Sequence, residues 1–188
     1  NTRVDIIMIG IFMSDEKVGI YSFAALFAEG FYQLLIVLQN ILNPIMARQF
    51  SESKLDEIFK QFKNIKQKTS KALFLICILS IIFYPLALNI LTNKQEFVDS
   101  YMPFSILVIG ITIASGYIPF YNIFSMSGKP RLQSIFMLLI FSTNLILNAI
   151  FIPIFGIQGA ALGTGSSFIA SIYFFKYFSN NYLGLKFK

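Results

Sequence analysis

The sequence has no histidine, no tryptophan and a single cysteine, Cys77. Histidine is the commonest general base and metal ligand, so its absence removes the usual centre of acid–base and metal chemistry. One cysteine within an apolar run forms neither a disulfide framework nor a thiolate zinc motif. No Walker loop or Rossmann fingerprint occurs either. We therefore expect no metal site, no bound cofactor and no catalytic constellation.

The sequence is also short of charge. Charged residues make up 13% of the chain and its mean hydropathy is +0.69, whereas soluble domains carry about 25% charged residues. Most long segments have no polar face with which a helix could contact water, and this argues against a soluble helical bundle. Nothing alternates with the two-residue period of a barrel strand. The composition therefore predicts an all-α, polytopic integral membrane bundle.

Long apolar runs divide the chain into membrane spans. A spanning helix needs about 20 mostly apolar residues, and the sequence offers five complete stretches and a partial one. Short loops join them, so we expect antiparallel helices that form a single transmembrane lobe over residues 1–188. The complete spans are 18–44, 70–92, 101–123, 132–153 and 157–178, and the partial span is 4–13.

Basic residues are concentrated in the loops on one side of these spans. By the positive-inside rule that side is cytoplasmic, so the partial first span runs outward and the C-terminus is cytoplasmic. The other side contains Lys17 and Lys94 among several acidic residues. The net charge of +6 follows from this topology and gives no reason to expect nucleic-acid binding. The basic residues of the cytoplasmic side are Arg48, Lys54, Lys60, Lys63, Lys66, Lys68, Lys71, Lys129, Arg131, Lys176, Lys186 and Lys188.

The longest loop has a helical pattern of its own. Its apolar residues recur at helical spacing while lysines occupy the other positions, and Ser53 can cap its start. We therefore predict an amphipathic helix over about 53–68 that lies on the inner leaflet, with its lysines near anionic membrane lipids. The pattern is compatible both with a connector at the membrane surface and with an element that gates or recruits a substrate.

Three charged residues fall where charge is costly. A charge at the bilayer centre costs at least about 2.5–3.5 kcal/mol on insertion scales, so it faces a partner or an aqueous cavity. Arg3 and Asp5 precede the turn at Ser14 by about 15 Å of helix, and Glu29 lies near the middle of the second span. A guanidinium suits a phosphate or pyrophosphate group, and an ion pair with Glu29 is the alternative for Arg3. Asp5 and Glu29 could also form a proton relay.

Uncharged polar residues form stripes within the spans. Residues spaced by three, four or seven share one helix face, and such a face is unfavourable against lipid, so we expect it to meet other helices or an aqueous vestibule. Asn144 and Asn148 form one such pair, for which interhelical hydrogen bonds worth about 1 kcal/mol are the alternative to a cavity role. The stripe of the second span consists of Ser22, Glu29, Gln33, Asn40 and Asn43.

Glycine and proline are concentrated in "FIPIFGIQGAALGTG", residues 151–165. We expect Pro153 to end the fifth helix and Gly156 to allow a tight turn. Gly159 and Gly163 then lie four residues apart on the sixth helix, where small residues let membrane helices approach closely. We interpret these glycines as helix-packing residues.

Three segments of the sequence resemble a known group of transporters. "RVDIIMIGIFMSDEKVGIYSFAALFAEG" (3–30) is similar to the seventh-to-eighth-span region of polysaccharide flippases. "SGKPR" (127–131) is similar to their tenth-to-eleventh loop, and "NAIFIPIFGIQGAALGT" (148–164) to their eleventh-to-twelfth junction. These flippases belong to the MOP superfamily, which includes MATE exporters, lipid II flippases and Wzx-type O-unit flippases. The chain begins with Asn1 rather than Met, and together with the resemblance this suggests the C-terminal six-helix lobe of a twelve-span transporter, with the N-terminal lobe missing.

The resemblance implies a flippase of the bacterial inner membrane. Its cargo would be an oligosaccharide repeat unit on undecaprenyl pyrophosphate, moved to the outer leaflet by alternating access for O-antigen or other surface polysaccharide. Polysaccharide polymerase and chain-length proteins would be partners. Arg3 would attract the pyrophosphate, and Lys129 and Arg131 would lie at the cytoplasmic mouth.

Three other functions stay open at this stage. A cation-coupled MATE-type exporter of drugs or metabolites would use a buried acid, Asp5 or Glu29, with H⁺ or Na⁺ as coupling ion. A non-transporting component of an envelope assembly complex is the second alternative. An integral-membrane glycosyltransferase or polymerase is the third, although more charge would be expected in its external loops.

Overall fold

A computed structural model describes residues 3–92 and 95–185, and within these residues the chain is helical with no strand. The prediction of an all-α membrane bundle is confirmed. Two short 3₁₀ segments, Gln95–Ser100 and Ile118–Phe120, connect the α-helices. The helices are α1 (Val4–Phe12), α2 (Asp15–Ser51), α3 (Leu55–Leu91), α4 (Tyr101–Ala114), α5 (Ile123–Met126) and α6 (Pro130–Leu183).

The long helices have the length and apolar composition of membrane spans. In the described part of the chain, α2, α3, the segment Glu96–Ala114 and α6 each meet this requirement. Helix α2 starts after Ser14, whose backbone is extended, and its first turn carries Asp15 and Glu16, which favourably oppose the positive end of the helix dipole.

Prolines end fewer helices than the sequence suggests. We predicted that the second span ends at Pro44, but α2 continues through Pro44 to Ser51. Helix α3 runs through Pro85, as the predicted span over 70–92 does. Proline removes only one backbone hydrogen bond, and membrane helices tolerate this when neighbouring groups satisfy the freed carbonyl.

The prediction of a separate amphipathic helix over 53–68 is wrong about its boundary. That segment and the span over 70–92 form one continuous helix, α3. The composition changes near residue 70 from lysine-rich to apolar, but helical periodicity does not change there, so no feature interrupts the backbone. Ile58 and Phe62 of the lysine-rich part are buried against other helices rather than directed to lipid.

Helix α4 occupies the centre of the bundle, in contact with α2, α3 and α6. Its residues are mostly buried, which explains why it is apolar around its whole circumference. The predicted span over 101–123 is nevertheless interrupted, because α4 ends at Ala114 and the chain passes through turns to α5. Ser115 and Gly116, which directly follow, are poor helix formers in a buried setting.

Helix α6 is a hairpin rather than a rod. Gly156 has φ of +61°, outside the helical region, and this left-handed conformation is available to glycine at little cost. Residues on either side of it then face each other: Asn144 bonds Thr164, and a Cβ on Gly159 would lie 2.0 Å from the Phe151 carbonyl oxygen. We call residues 130–155 the first arm and 157–183 the second arm. They correspond to the two predicted spans, except that the first arm continues past Pro153.

The bundle has two distinct ends. The lysine-rich end contains the start of α3 and the open ends of the hairpin, where Lys129 donates a hydrogen bond to the Tyr182 carbonyl. The hairpin end contains Gly156, which Met13 approaches, and the ion pair between Lys17 and Asp99. The predicted cytoplasmic side corresponds to the lysine-rich end. Lys186 and Lys188 of that predicted side, and Lys94 of the other side, lie outside the described residues.

Candidate functional site

A cavity of about 420 Å³ opens among α1, α2, α4 and both arms of α6. Apolar side chains such as Leu107 and Ile140 form much of its wall, and polar groups converge from four helices. This combination of an apolar wall with a few placed polar groups is typical of small-molecule sites. The polar lining consists of Arg3, Asp5, Glu29, Tyr32, Tyr121, Asn144, Thr164 and Ser167.

Asp5 is the centre of the polar contacts. Its Oδ2 accepts a hydrogen bond from the Tyr21 hydroxyl at 2.5 Å and another from the Thr164 hydroxyl at 3.2 Å. These donors come from α2 and from the second arm of α6, so three helices meet at one carboxylate oxygen. Hydrogen bonds to a charged group are worth about 1.5–3 kcal/mol each, and they hold the Asp5 side chain in one orientation.

Two asparagines extend this network along the first arm. The Asn148 amide donates to Asn144 Oδ1 at 3.1 Å, and the Asn144 amide donates to Thr164 Oγ1 at 3.1 Å and to Ser167 Oγ at 3.3 Å. Thr164 in turn donates to Asp5. The bonds therefore run in one direction, from Asn148 through Asn144 and Thr164 to the carboxylate, which is an acceptor when ionised.

Glycine allows the two arms to approach closely enough for this network. A Cβ on Gly163 would lie 2.7 Å from Asn148 Oδ1 and 3.0 Å from the Asn148 backbone nitrogen. Asn148 is fully buried, and no hydrogen bond to its Oδ1 is found within the described residues. The Asn148 side chain thus occupies the space in which the Cβ of any larger residue at position 163 would lie.

Arg3 and Glu29 form an ion pair at the rim of the cavity. Arg3 Nη2 lies 2.9 Å from Glu29 Oε2, and the two side chains are 57% and 25% exposed. The Gln33 amide extends the contact to the other carboxylate oxygen of Glu29, at 3.4 Å. The sequence left open whether Arg3 binds a phosphate or pairs with Glu29, and the second arrangement is present here. A guanidinium has five N–H donors, so one carboxylate does not exhaust it.

Two tyrosines form another part of the cavity wall. Tyr121 is buried and shares a hydrogen bond with Ser171 of the second arm, and Tyr32 packs on Phe168 with ring centroids 5.6 Å apart. Both tyrosines line the cavity. The cavity therefore combines hydroxyls, amides, two carboxylates and one guanidinium, which suits a polar or charged solute or a coupling ion.

The structure does not bring all the predicted residues together. Arg3, Asp5, Glu29 and Asn144 line the cavity, and Asn148 supports it from behind. Gln33 contacts Glu29 but is exposed, and Asn40 is exposed farther along α2. Asn40 therefore does not pack against other helices, and the alternative of an aqueous vestibule at this position stays a prediction. The buried amide of this region is Gln39, which donates to the Ile118 carbonyl at 3.4 Å.

The two predicted mouth residues lie away from the cavity. Lys129 precedes the first arm at the lysine-rich end, where it bonds Tyr182, and Arg131 is exposed in the first turn of α6. Neither side chain lines the cavity.

A second cavity, of about 610 Å³, lies at the hairpin end. Pro85 and Met102 contribute to its largely apolar wall, and Lys17 and Asp99 form an ion pair 3.1 Å long at its edge. Asp99 is 62% exposed in that pair, and exposed ion pairs contribute about 0–1 kcal/mol. Among the described residues, this cavity contains no polar network comparable to that around Asp5.

Hydroxyl residues are the part of the site that sequence reasoning did not find. Tyr21, Thr164 and Ser167 all bond within the network, yet hydroxyls are common in membrane helices and give a weak signal. The available signal was the spacing of Thr164 and Ser167, which places both hydroxyls on one face. Among residues 3–92 and 95–185, no three His, Cys, Asp or Glu side chains cluster as metal ligands would.

Comparison with known proteins identifies the family. The MatE family model matches residues 2–150, which is more than half of the chain. The match includes α1 to α5 and most of the first arm of α6. No curated protein and no solved structure matches the chain. The chain therefore belongs to the MatE family, and with it to the multi-pass membrane transporters of the MOP superfamily.

Proposed function

We propose that this chain is the cavity-bearing lobe of a flippase for lipid-linked oligosaccharides in the bacterial inner membrane. Its cargo is a repeat unit on undecaprenyl pyrophosphate, which alternating access moves from the inner to the outer leaflet for surface polysaccharide such as O-antigen. In this proposal the lysine-rich end faces the cytoplasm, and a polysaccharide polymerase with its chain-length proteins receives the product.

The observation that carries this proposal is the guanidinium at the cavity rim. Arg3 is 57% exposed although it belongs to an apolar bundle, and its ion pair with Glu29 keeps it in place without burying it. Arginine forms bidentate contacts with phosphate groups, through two parallel N–H···O hydrogen bonds. A diphosphate with more than one negative charge can therefore compete with the single carboxylate of Glu29 for this group.

The depth of the network fits a path through the membrane. Thr164, which bonds Asp5, lies eight residues beyond the turn at Gly156, or about 12 Å along the second arm. The hydrocarbon core of a bilayer is about 30 Å thick. Polar groups at this depth are costly unless they face a partner or water, and a translocation pathway supplies the water.

Deleting the gene tests the cargo. We expect loss of surface polysaccharide and accumulation of lipid-linked repeat units in the cell, measured by polysaccharide staining and by lipid extraction. In complementation, Arg3→Gln should reduce polysaccharide export by about tenfold, because a charge-assisted hydrogen bond to the cargo is lost, and Arg3→Lys should retain part of it.

Arg48→Gln is the matched control, since Arg48 lies at the end of α2, outside the cavity, and the change in charge is the same. It should support normal export. Normal polysaccharide in the deletion strain would reject the flippase function. Loss in that strain together with full activity of Arg3→Gln would reject the role of Arg3 only.

The arrangement around Asp5 favours a second candidate, a cation-coupled exporter of drugs or metabolites. A carboxylate held by two hydroxyls, with Glu29 lining the same cavity, is a suitable acceptor for H⁺ or Na⁺. This function predicts efflux of an organic cation driven by a pH or Na⁺ gradient and abolished by Asp5→Asn. Gradient-driven efflux in proteoliposomes, with normal polysaccharide in the deletion strain, would select the exporter.

A further inference from the structure

The second cavity, at the hairpin end, combines one charge of each sign with an apolar wall. Lys17 of α2 and Asp99 of the segment Gln95–Ser100 both line it, and Lys17 Nζ lies 3.1 Å from Asp99 Oδ2. The volume of about 610 Å³ is within the range of about 300–1,000 Å³ that is usual for ligand sites. The cavity therefore offers a ligand paired charges at one edge and apolar surface beside them.

The ion pair leaves both charges accessible to a ligand. The Lys17 and Asp99 side chains are 34% and 62% exposed, and exposed ion pairs contribute only about 0–1 kcal/mol. An ammonium has three N–H donors and a carboxylate has two acceptor oxygens, so one contact between them does not exhaust either group. A ligand that carries an anionic and a cationic group next to each other can contact both side chains at once.

The charge around this pair selects the kind of ligand. Asp15 and Glu16 precede Lys17 in the first turn of α2, and Glu96 precedes Asp99 in the 3₁₀ segment. In the sequence, residues 15–17 and 94–99 together contain four acidic residues and two lysines. An excess of negative charge repels a ligand with a net negative charge and attracts an ammonium group. These surroundings therefore favour a zwitterion over an anion.

The cavity lies where the membrane spans end. Helix α2 starts at Asp15, α3 ends at Leu91 and the hairpin turns at Gly156, and residues near each of these points line the cavity. Tyr101 lines it too, and tyrosine is enriched where the hydrocarbon meets the headgroups, because its ring is apolar and its hydroxyl is polar. The two charges are therefore near the level of lipid headgroups.

The apolar wall of the cavity continues onto the outer surface of the bundle. Val98, Met102 and Phe155 line the cavity and are each more than half exposed, so they can contact lipid chains. Asn89 and Gln158 also line it, and their amide N–H groups can donate to phosphate or ester oxygens. The cavity thus offers contacts to each part of a phospholipid.

We propose that this cavity binds a zwitterionic phospholipid whose headgroup ends in a primary ammonium, as in phosphatidylethanolamine. Lys17 contacts the phosphate, Asp99 accepts hydrogen bonds from the ammonium, and the acyl chains lie along the exposed apolar wall. A primary ammonium donates N–H hydrogen bonds to a carboxylate, whereas the trimethylammonium of a choline headgroup has no N–H. Bound lipid joins the hairpin to α2, α3 and α4, whatever cargo the transporter carries.

Thermal unfolding of the purified protein in neutral detergent tests the site. Dioleoyl phosphatidylethanolamine, added at about ten times its dissociation constant, should raise Tm by about 3 °C more than the same concentration of dioleoyl phosphatidylcholine. Dioleoyl phosphatidylglycerol, which is anionic, should raise it least. Asp99→Asn should remove the difference between the ethanolamine and choline lipids, because the charge that attracts the ammonium is lost. Lys17→Gln should reduce the shift with both.

The matched control is Asp15→Asn, which removes the same charge from an exposed position of α2 that does not line the cavity. It should keep the full difference between the two lipids. An equal loss in this control would show diffuse attraction and overturn the site, and so would a full difference in Asp99→Asn. Equal shifts with the ethanolamine and choline lipids in the wild type, or the largest shift with phosphatidylglycerol, would overturn the headgroup assignment.

A soluble headgroup separates a membrane lipid from a free zwitterion as the ligand. Glycerophosphoethanolamine has the same phosphate and ammonium but no acyl chains, so it cannot use the apolar wall. At the concentration of the lipid it should leave Tm unchanged. A shift as large as that of dioleoyl phosphatidylethanolamine would overturn the assignment to a phospholipid.

Discussion

The lysine-rich end is packed with aromatic rings, whereas the region around Asp5 contains a polar network and an open cavity. At the lysine-rich end, the rings of Phe62, Tyr117, Tyr121, Phe124 and Phe136 all lie 5.8–6.4 Å from that of Phe175. Phe175 itself is fully buried. Around Asp5, by contrast, α1, α2 and the two arms of α6 are joined by hydroxyls and amides beside an open cavity of about 420 Å³.

We expect this difference to separate stability from function. Close-packed aromatic rings resist rearrangement, because filling or emptying their space costs energy. A polar network next to a cavity can exchange its partners for water or a solute at lower cost. We therefore expect substitutions in the aromatic cluster to affect folding and substitutions around Asp5 to affect transport.

Phe175→Ala should have the largest effect. Removing a buried ring leaves a cavity and costs about 3–5 kcal/mol, so the free energy of unfolding should fall by that amount while transport per folded molecule is retained. Phe83→Ala is the control. Because Phe83 is 57% exposed, its removal should change the free energy of unfolding little. Both values follow from reversible unfolding in detergent. Loss of transport by a Phe175→Ala protein of normal stability would contradict the expectation that the aromatic cluster serves folding rather than transport.

Gly163→Ala should have the next largest effect. The new Cβ would lie 2.7 Å from Asn148 Oδ1, and overpacking of this kind costs about 1–3 kcal/mol. Gly30→Ala provides the comparison, because nothing lies within 4 Å of its Cβ position and alanine favours helix there by up to about 1 kcal/mol. Equal stability of the two variants, measured by thermal unfolding, would mean that the arms separate easily.

Asp5→Asn should lower the free energy of unfolding by about 2 kcal/mol at most, because an amide oxygen still accepts from Tyr21 and Thr164, although through neutral rather than charge-assisted hydrogen bonds. Transport should nevertheless fall by about tenfold, which is the loss expected for one charge-assisted interaction. Asp15→Asn, at the exposed start of α2, should leave transport unchanged. A folded Asp5→Asn protein with full transport activity would contradict the expectation that the network around Asp5 serves transport.

The smallest effect is expected in the turn between α2 and α3, which belongs neither to the aromatic cluster nor to the cavity around Asp5. Hydrogen bonds from Lys54 and Arg48 lower the pKa of Glu52 from 4.5 to about 2. A lowered pKa stabilises the folded state above pH 4.5, and this contribution is lost as the pH falls toward 2. The Tm difference between the wild type and Glu52→Gln should thus be small at pH 6 and vanish near pH 2. A difference independent of pH would exclude the ionic contribution.

Much of the fold could be predicted from hydropathy. The helical class, the two arms of α6 and the turn at Gly156 follow from long apolar runs and from one glycine-rich interruption. Helix boundaries were less predictable where the composition of a segment and its helix-forming residues indicate different ends. The composition changes inside α3 although the helix continues, and α4 stops within an apolar run because of the Ser115–Gly116 pair.

The site was predictable where a residue type is rare in membranes. Asp5, Glu29 and Arg3 were recognisable because charge is costly in lipid. Thr164 and Tyr21 were not recognisable as site residues. A hydroxyl can donate its hydrogen bond to a nearby backbone carbonyl, so its presence in the sequence says little about a distant partner. Asn40 shares a helix face with Glu29, but periodicity does not specify how far along α2 the neighbouring helices extend.

The aromatic cluster has a consequence for how the protein is made. Its rings come from positions 62, 117–124, 136 and 175–178, so the cluster connects early and late parts of the polypeptide. During synthesis the N-terminal helices emerge first, and chains fold in that order. The site of Phe175 stays empty until the second arm has been translated. We therefore expect the helices translated before the second arm to complete their packing only after that arm has entered the bilayer.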